Sequence, residues 1–416
     1  MSVDLSYCRN EFPALGVTVG DYDAAYFDGA GGTQLPARVV DAIAGYCKYS
    51  NANTHGFYLT SQETDNMLQK ARDTMAILLG AESGDEIAFG ANMTTLNFSL
   101  SRALARDLES GDKIIITDLD HEANRSPWEE LREKGIIVKS APICTEDCTL
   151  DYNWLRQEIS PKTKIVAVGH ASNAVGTVND IELVIELAKS VGATTVIDAV
   201  HYAPHDAIDV QALGCDFLLC SPYKFFGPHI GVLYGRTRAF EALKTYKLRP
   251  QRSTPPRKIE TGTLNHEGIA GSIEAVSFIA SLGDAIIGND SREYDLRSRV
   301  LAGYQALEEW EHPLCERLME GLERIPGVTI YGPPLDCYRT PTVAFTLDGV
   351  HASDVARYLG DVGVFVMCGD FYATRLIEVL DLVERGGVVR ASLAPYNTIE
   401  EVDRLLTAVE EICLRQ

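Results

Sequence analysis

This chain is short of positive charge: 37 Lys and Arg stand against 59 Asp and Glu, a formal net charge of −22. Phosphate backbones demand clustered Lys and Arg, so a nucleic-acid partner is not expected. No unbroken apolar run approaches the ~18 residues that a membrane span needs, and no transmembrane helix or membrane partner is predicted. The start, Met1-Ser-Val-Asp-Leu-Ser6, has neither the basic end nor the apolar stretch of a signal peptide. Cysteine is present but unpaired in pattern: ten thiols, none in Cys-x-x-Cys spacing, several inside apolar segments. That usage predicts a reduced, cytoplasmic protein and not a disulfide frame. Cys144 and Cys148 lack a histidine or a second cysteine pair beside them, so no metal site is expected. Internal repeats and low-complexity tracts are also missing.

What is present is an ordinary globular composition, 46% hydrophobic and 23% charged, over 416 residues, which suits two domains. Short apolar runs predict strands at Glu86–Phe89, Lys113–Thr117, Ile136–Ser140, Lys164–Gly169, Thr194–Asp198, Asp216–Cys220 and Gly231–Tyr234. Amphipathic stretches such as Ile181–Val191 fall between them, and that alternation predicts an α/β fold with a mainly parallel sheet of seven strands. Arg249 to Lys258 is rich in Pro, Arg and Lys and reads as a loop. Gly268–Leu282 reads as an apolar helix bridging two domains. Beyond it come a helix at Cys315–Arg324, strands at Val328–Tyr331 and Thr342–Thr346, and helices at Ala352–Leu359 and Glu400–Ile412. The expected division is a large domain over residues 22–270 and a small α+β domain made of 1–21 and 271–416.

The chemistry-bearing residues gather at predicted strand ends. Asp198 closes one buried strand in Asp198-Ala-Val-His201, and Lys224 follows another in Ser221-Pro-Tyr-Lys224-Phe-Phe-Gly227. In open α/β sheets ligands bind beyond the carboxyl ends of strands. An amine and a carboxylate delivered there suit pyridoxal 5′-phosphate, the lysine as its Schiff-base partner and the acid on its ring nitrogen. Gly90-Ala-Asn-Met-Thr-Thr95 opens a helix with Asn92 as N-cap, a start that binds phosphate readily. His121 and Asn173 follow two further strands, so four strands bring polar groups to one rim.

On these residues the chain resembles the class V aminotransferase family, the fold type I pyridoxal-phosphate enzymes that include the cysteine desulfurases. Tyr26-Phe-Asp-Gly-Ala30, Asn53-Thr-His55, Glu260-Thr-Gly-Thr263 and Arg390-Ala-Ser-Leu-Ala-Pro-Tyr-Asn397 add to the likeness, which runs over nearly the whole length. The resemblance implies a homodimer with shared sites. It implies Lys224 as the Schiff-base lysine, Asp198 on the pyridine nitrogen and His121 stacked on the ring. His201 and Asn173 would neighbour the ring hydroxyl. Met93, Thr94 and Ser221 would hold the phosphate, with Tyr223 where desulfurases commonly carry His and Thr263 reaching in from the second subunit. Arg390 would pair with the substrate α-carboxylate, with Ala30, Gly31, His55, Tyr58, Asn173 and Tyr372 around the substrate.

One departure matters. Desulfurases take sulfur on a loop cysteine before that arginine, and here Tyr372 stands in its place, with Cys368 four residues earlier. The expected activity is therefore desulfurase-like cleavage of a C–S bond by β-elimination in an amino acid, without a persulfide on that loop. An aminotransferase or an epimerase are the alternatives, and outside enzymes a silent cofactor-binding module. Such modules carry a basic helix-turn-helix appendage, for which the arm before Tyr26 is too short and too acidic.

Overall fold

The structure is a computed structural model and describes residues 3–415. Seven strands form the main sheet: β1 (Ile87–Gly90), β2 (Lys113–Thr117), β3 (Ile137–Ala141), β4 (Thr163–Gly169), β5 (Thr194–Asp198), β6 (Phe217–Cys220) and β7 (Gly231–Gly235). Their order across the sheet is β1-β7-β6-β5-β4-β2-β3. Only β7 runs against its neighbours; the other pairings are parallel. Alternate residues face opposite sides, as the pleat requires. Ile115, Val166, Val168 and Ile197 enter one apolar cluster, whereas Ile114, Ile116, Ala167 and Val196 enter another. Helix α3 (Met93–Leu104) covers the second face with Leu96 and Leu100. Helices α1 (Ala37–Tyr49), α2 (Leu59–Leu79), α4 (Ile181–Ser190) and α5 (His266–Leu282) contribute to the first.

Two expectations are corrected here. Helix α5 does not bridge: it packs within the larger core against α1 and α2, and Ile269, Val276, Phe278 and Ile279 are buried there. With the short turn after it, residues 266–287 are long and apolar enough by length and composition to cross a membrane, which the sequence reading had not seen, yet 67% of the apolar window is buried inside the protein. The element that spans both cores is α6 (Leu296–Glu323), expected only from Cys315 onward. It runs straight through Pro313. Val300, Tyr304 and Leu307 sit in the larger core and Leu314, Leu318 and Leu322 in the smaller, so apolar burial on both sides outweighs the one backbone bond that proline removes.

The smaller core lies on a four-stranded antiparallel sheet of β8 (Val328–Tyr331), β9 (Thr342–Leu347), β10 (Met367–Gly369) and β11 (Val388–Ser392), in the order β8-β9-β11-β10. Helices α7 (Ala352–Asp361) and α8 (Ile399–Leu414) pack on it, α8 opened by a Thr398/Glu401 capping box. The extended segment Ala25–Tyr26 pairs with Val364–Phe365, and Asp28 bridges to Ser392, which lays the Asp28–Gly32 turn over the main sheet's carboxyl edge.

Candidate active site

A cavity of about 760 Å³ opens where the carboxyl ends of the main sheet meet β10 and β11 of the small one. That size suits a small-molecule site. It is lined by Ala30, Met93, Thr94, His121, Asn173, Asp198, His201, Ser221, Tyr223, Lys224, Tyr372 and Arg390, the residues expected from the sequence. His55 is not among them. It lies with Thr263 in a separate cavity of about 400 Å³, because the 51–58 connection turns outward and Asp65 holds the His55 ring and N–H there. Tyr58 is likewise exposed and outside the main cavity.

Lys224 is buried, and its amine donates to the carbonyl oxygens of Ala30 and, at 2.9 Å, of Gly31. Burial, and then the Arg390 charge, push its pKa down to about 7. A lysine in this state is substantially neutral at physiological pH and able to act as nucleophile or base. In apo protein, acetylation by acetic anhydride should titrate at Lys224 with a midpoint of about 7. Peptide mass spectrometry across a pH series would read it; a midpoint near the ordinary ~10.4 would contradict the assignment.

Asp198 ends β5, with Oδ1 accepting the Val200 N–H at 3.0 Å. Its pKa is raised to about 7, chiefly by burial and also by Asp120. Asp120 is a site residue the sequence reading passed over. Its oxygens accept from Gly169 N at 2.9 Å and Asn124 Nδ2 at 2.9 Å, tying the ends of β2 and β4 together beneath the cavity. Its signal was only an acid one residue before His121 and three beyond a strand, easily taken for a solvated turn.

His121 accepts the Ala123 N–H on Nδ1 at 2.9 Å, which places the proton of the neutral ring on Nε2. Burial, with Lys224 and Arg390 adding to it, lowers its pKa to about 4, so an uncharged ring faces the cavity. His201 Nε2 meets the hydroxyls of Thr340 at 3.2 Å and Thr342 at 3.0 Å, while its buried Nδ1 has no partner. Tyr223 stacks on His229, and the Lys224 amine lies 4.6 Å from its ring centre.

Arg390, on β11, is also buried. Nη2 bonds Asp28 at 2.8 Å, Nη1 bonds the Asn173 carbonyl at 3.0 Å, the guanidinium lies over Phe371 at 4.1 Å, and Nε is without a partner. Asp28 is a second residue not singled out in advance. Gly31 must stay small for it, since a Cβ there would stand 2.3 Å from the Asp28 carboxylate. Phe371 and Tyr372 both adopt left-handed backbone, at φ 54° and 57°, with the Asn173 amide holding Phe371 O at 3.0 Å. Tyr372 is 69% exposed and its ring centre is 5.4 Å from that of His121. Cys368 does not line the cavity: on β10 its neighbour Met367 does, and Cys368 packs toward the smaller core.

These residues fit pyridoxal 5′-phosphate. Asp198 is a buried acid that a cationic ring nitrogen would return to its charged form. Met93 and Thr94 open α3, whose Asn92 cap occupies only the Thr95 N–H, and Ser221 adds a hydroxyl.

Comparison with known proteins agrees. The Aminotransferase class-V family model matches residues 25–405. Cysteine desulfurase from Serratia proteamaculans is 31% identical, covering 99% of each chain, and probable cysteine desulfurase 2 from Mycobacterium leprae is 34% identical over 98% of this chain and 96% of its own. Among solved structures, apo cysteine desulfurase from Thermococcus onnurineus superposes with a TM-score of 0.85 at 28% identity, covering 100% of this chain and 99% of the other. Cysteine desulfurase CsdA from Escherichia coli gives 0.84 at 28%, covering 99% of each chain. Sequence and backbone thus match end to end, and the chain belongs to the class V aminotransferase family, whose members are enzymes that use pyridoxal 5′-phosphate.

Proposed function

We propose that this protein is a pyridoxal-phosphate lyase that cleaves the Cβ–S bond of a cysteine-like amino acid and releases the sulfur to solvent. When bound, the cofactor supplies an aldehyde for the amine and an electron-withdrawing ring that weakens the bonds at Cα. Lys224 would hold the aldehyde end, and its largely neutral amine would serve as the base that accepts the substrate's Cα proton. Asp198 would keep the ring nitrogen protonated, and His121 would cover the ring face with a neutral imidazole. His201 and Asn173, which line the same cavity, would neighbour the ring hydroxyl. Met93, Thr94, Ser221 and Tyr223 take the phosphate, with Thr263 crossing from the second subunit of a homodimer. Arg390 turns its free N–H groups to the substrate carboxylate, beside Ala30 and Tyr372. As the Cα–H and Cβ–S bonds break, the electron pair of the latter leaves on sulfur; water then converts the three-carbon remainder to pyruvate and ammonia.

The observation that carries this reading is the pairing of a buried amine and a buried acid in a cavity that no thiol lines. The relatives named cysteine desulfurases support the sulfur substrate. Supplied with L-cysteine, the holoenzyme should yield sulfide and pyruvate in equal amounts with no sulfur retained on protein. Iodoacetamide treatment, which reaches the exposed Cys47, Cys144 and Cys337, should leave the rate unchanged, as should Cys368→Ser. Alanine as product with a protein-bound persulfide would overturn the proposal, and a spectrum reset by keto acids would favour transamination.

A further inference from the structure

Every charged side chain that lines the main cavity already has an occupation. Glu122 accepts the Ser126 hydroxyl at 2.7 Å and faces Arg125 at 3.5 Å, and Asp120 ties two strand ends together. Asp198, Lys224 and Arg390 serve the ring nitrogen, the aldehyde end and the α-carboxylate in the proposed mechanism. Among the described residues, the cavity therefore keeps no charge for the far end of a substrate.

What surrounds Arg390 instead is apolar. Met367 on β10 is its cross-strand partner on β11, so the two side chains stand together on one face of the sheet. Phe371 lies against the guanidinium at 4.1 Å, and Tyr372 follows it in the chain. All three line the cavity, yet Met367 is 47% exposed and Tyr372 69%. The turn that presents the two rings is fixed. Asn173 Nδ2 donates to Phe371 O at 3.0 Å, the Glu122 N–H to Tyr372 O at 2.7 Å, and the Tyr372 N–H to Asp370 at 3.0 Å. Those bonds hold two successive non-glycine residues in left-handed backbone, strain of a kind that gathers at ligand sites. An amino acid with its carboxylate on Arg390 carries its side chain on the adjacent carbon, within reach of this wall.

We infer that Met367, Phe371 and Tyr372 form the subsite for the group carried on the substrate's sulfur, and that this group is apolar. The favoured substrates are thioethers of cysteine with an alkyl or aryl group on sulfur, in preference to cysteines bearing a charged group there. The inference rests on the lyase reading, with Arg390 as the carboxylate partner. The bond broken is the same. The Cβ–S electron pair leaves on sulfur, which takes a proton and departs as a thiol, and water converts the remainder to pyruvate and ammonia.

Two series test this on the holoenzyme. Spectral titration with L-2-aminobutyrate, L-norvaline and L-norleucine, which have no leaving group, reads binding alone; affinity should rise about fourfold with each methylene. Pyruvate release from S-methyl-, S-ethyl- and S-propyl-L-cysteine should show kcat/KM climbing in similar steps. S-isobutyl-L-cysteine should exceed S-carboxymethyl-L-cysteine, of like shape but charged, by about tenfold or more. Met367→Gln and Tyr372→Ser should each shrink the step per methylene toward unity, whereas Cys368→Ser, a change on the other face of β10, should keep it. Cleavage with no rise along either series would overturn the inference and leave the lyase standing, as would a rise that both wall variants retain. A rise in affinity with no pyruvate from any cysteine compound would instead remove the lyase reading and keep the apolar subsite.

Discussion

Lys224→Ala is expected to fold and to lose turnover by about 10⁴-fold or more, since the covalent anchor and the Cα base disappear together. Stability should hold or rise. The amine is kept in a buried site that disfavours its charge, so its removal relieves a desolvation cost while the carbonyls of Ala30 and Gly31 lose one donor. Borohydride treatment with cofactor should fix no adduct at residue 224, read by peptide mass spectrometry. Lys224→Arg should be nearly as inactive, because a guanidinium cannot give up its proton at working pH. That comparison separates loss of a titratable amine from loss of a buried cation. Turnover near the wild-type rate in either variant would end the proposed mechanism.

How much of this was legible beforehand differs between the two parts of the site. The main-sheet strands were readable to within about a residue at most ends, because all but the half-exposed edge strand β3 are short, largely apolar runs buried on both faces and stopped by polar or glycine residues. Reading strand ends was then enough to place Asp198, Lys224, His121 and Asn173 at one rim. What local pattern does not carry is register between distant segments. Asp28 meets Arg390 only because its turn bridges to Ser392, and Asp120 matters only because β2 and β4 are neighbours. Likewise α6 passes Pro313 on the strength of two cores that no window of sequence contains. His55 sits in a recognisable motif, yet the motif says nothing about which cavity, or which subunit, it serves.

Asp198→Asn should separate the chemical role of this carboxylate from its structural one. The amide keeps the size of the side chain and an oxygen for the Val200 N–H, so what is lost is charge. Breaking a buried ion pair costs about 3–5 kcal/mol, hence a fall in kcat/KM of about 10²- to 10⁴-fold. In apo protein the same change acts in the opposite sense. The folded-state pKa of Asp198 is about 7 against an ordinary 3.8, so between those values the native state keeps a proton that the unfolded state gives up. Wild-type apo protein therefore loses stability from this group as pH climbs through that window, whereas Asp198→Asn does not. Thermal melts of the two apo proteins should diverge in favour of the variant from about pH 4 to about pH 7 and run parallel above it. Cofactor should reverse the order, since a protonated ring nitrogen beside the carboxylate supplies the counter-charge the empty cavity lacks. Apo curves that stay parallel throughout would mean Asp198 is solvated and ordinarily acidic, and the burial argument for its place under the ring would fail.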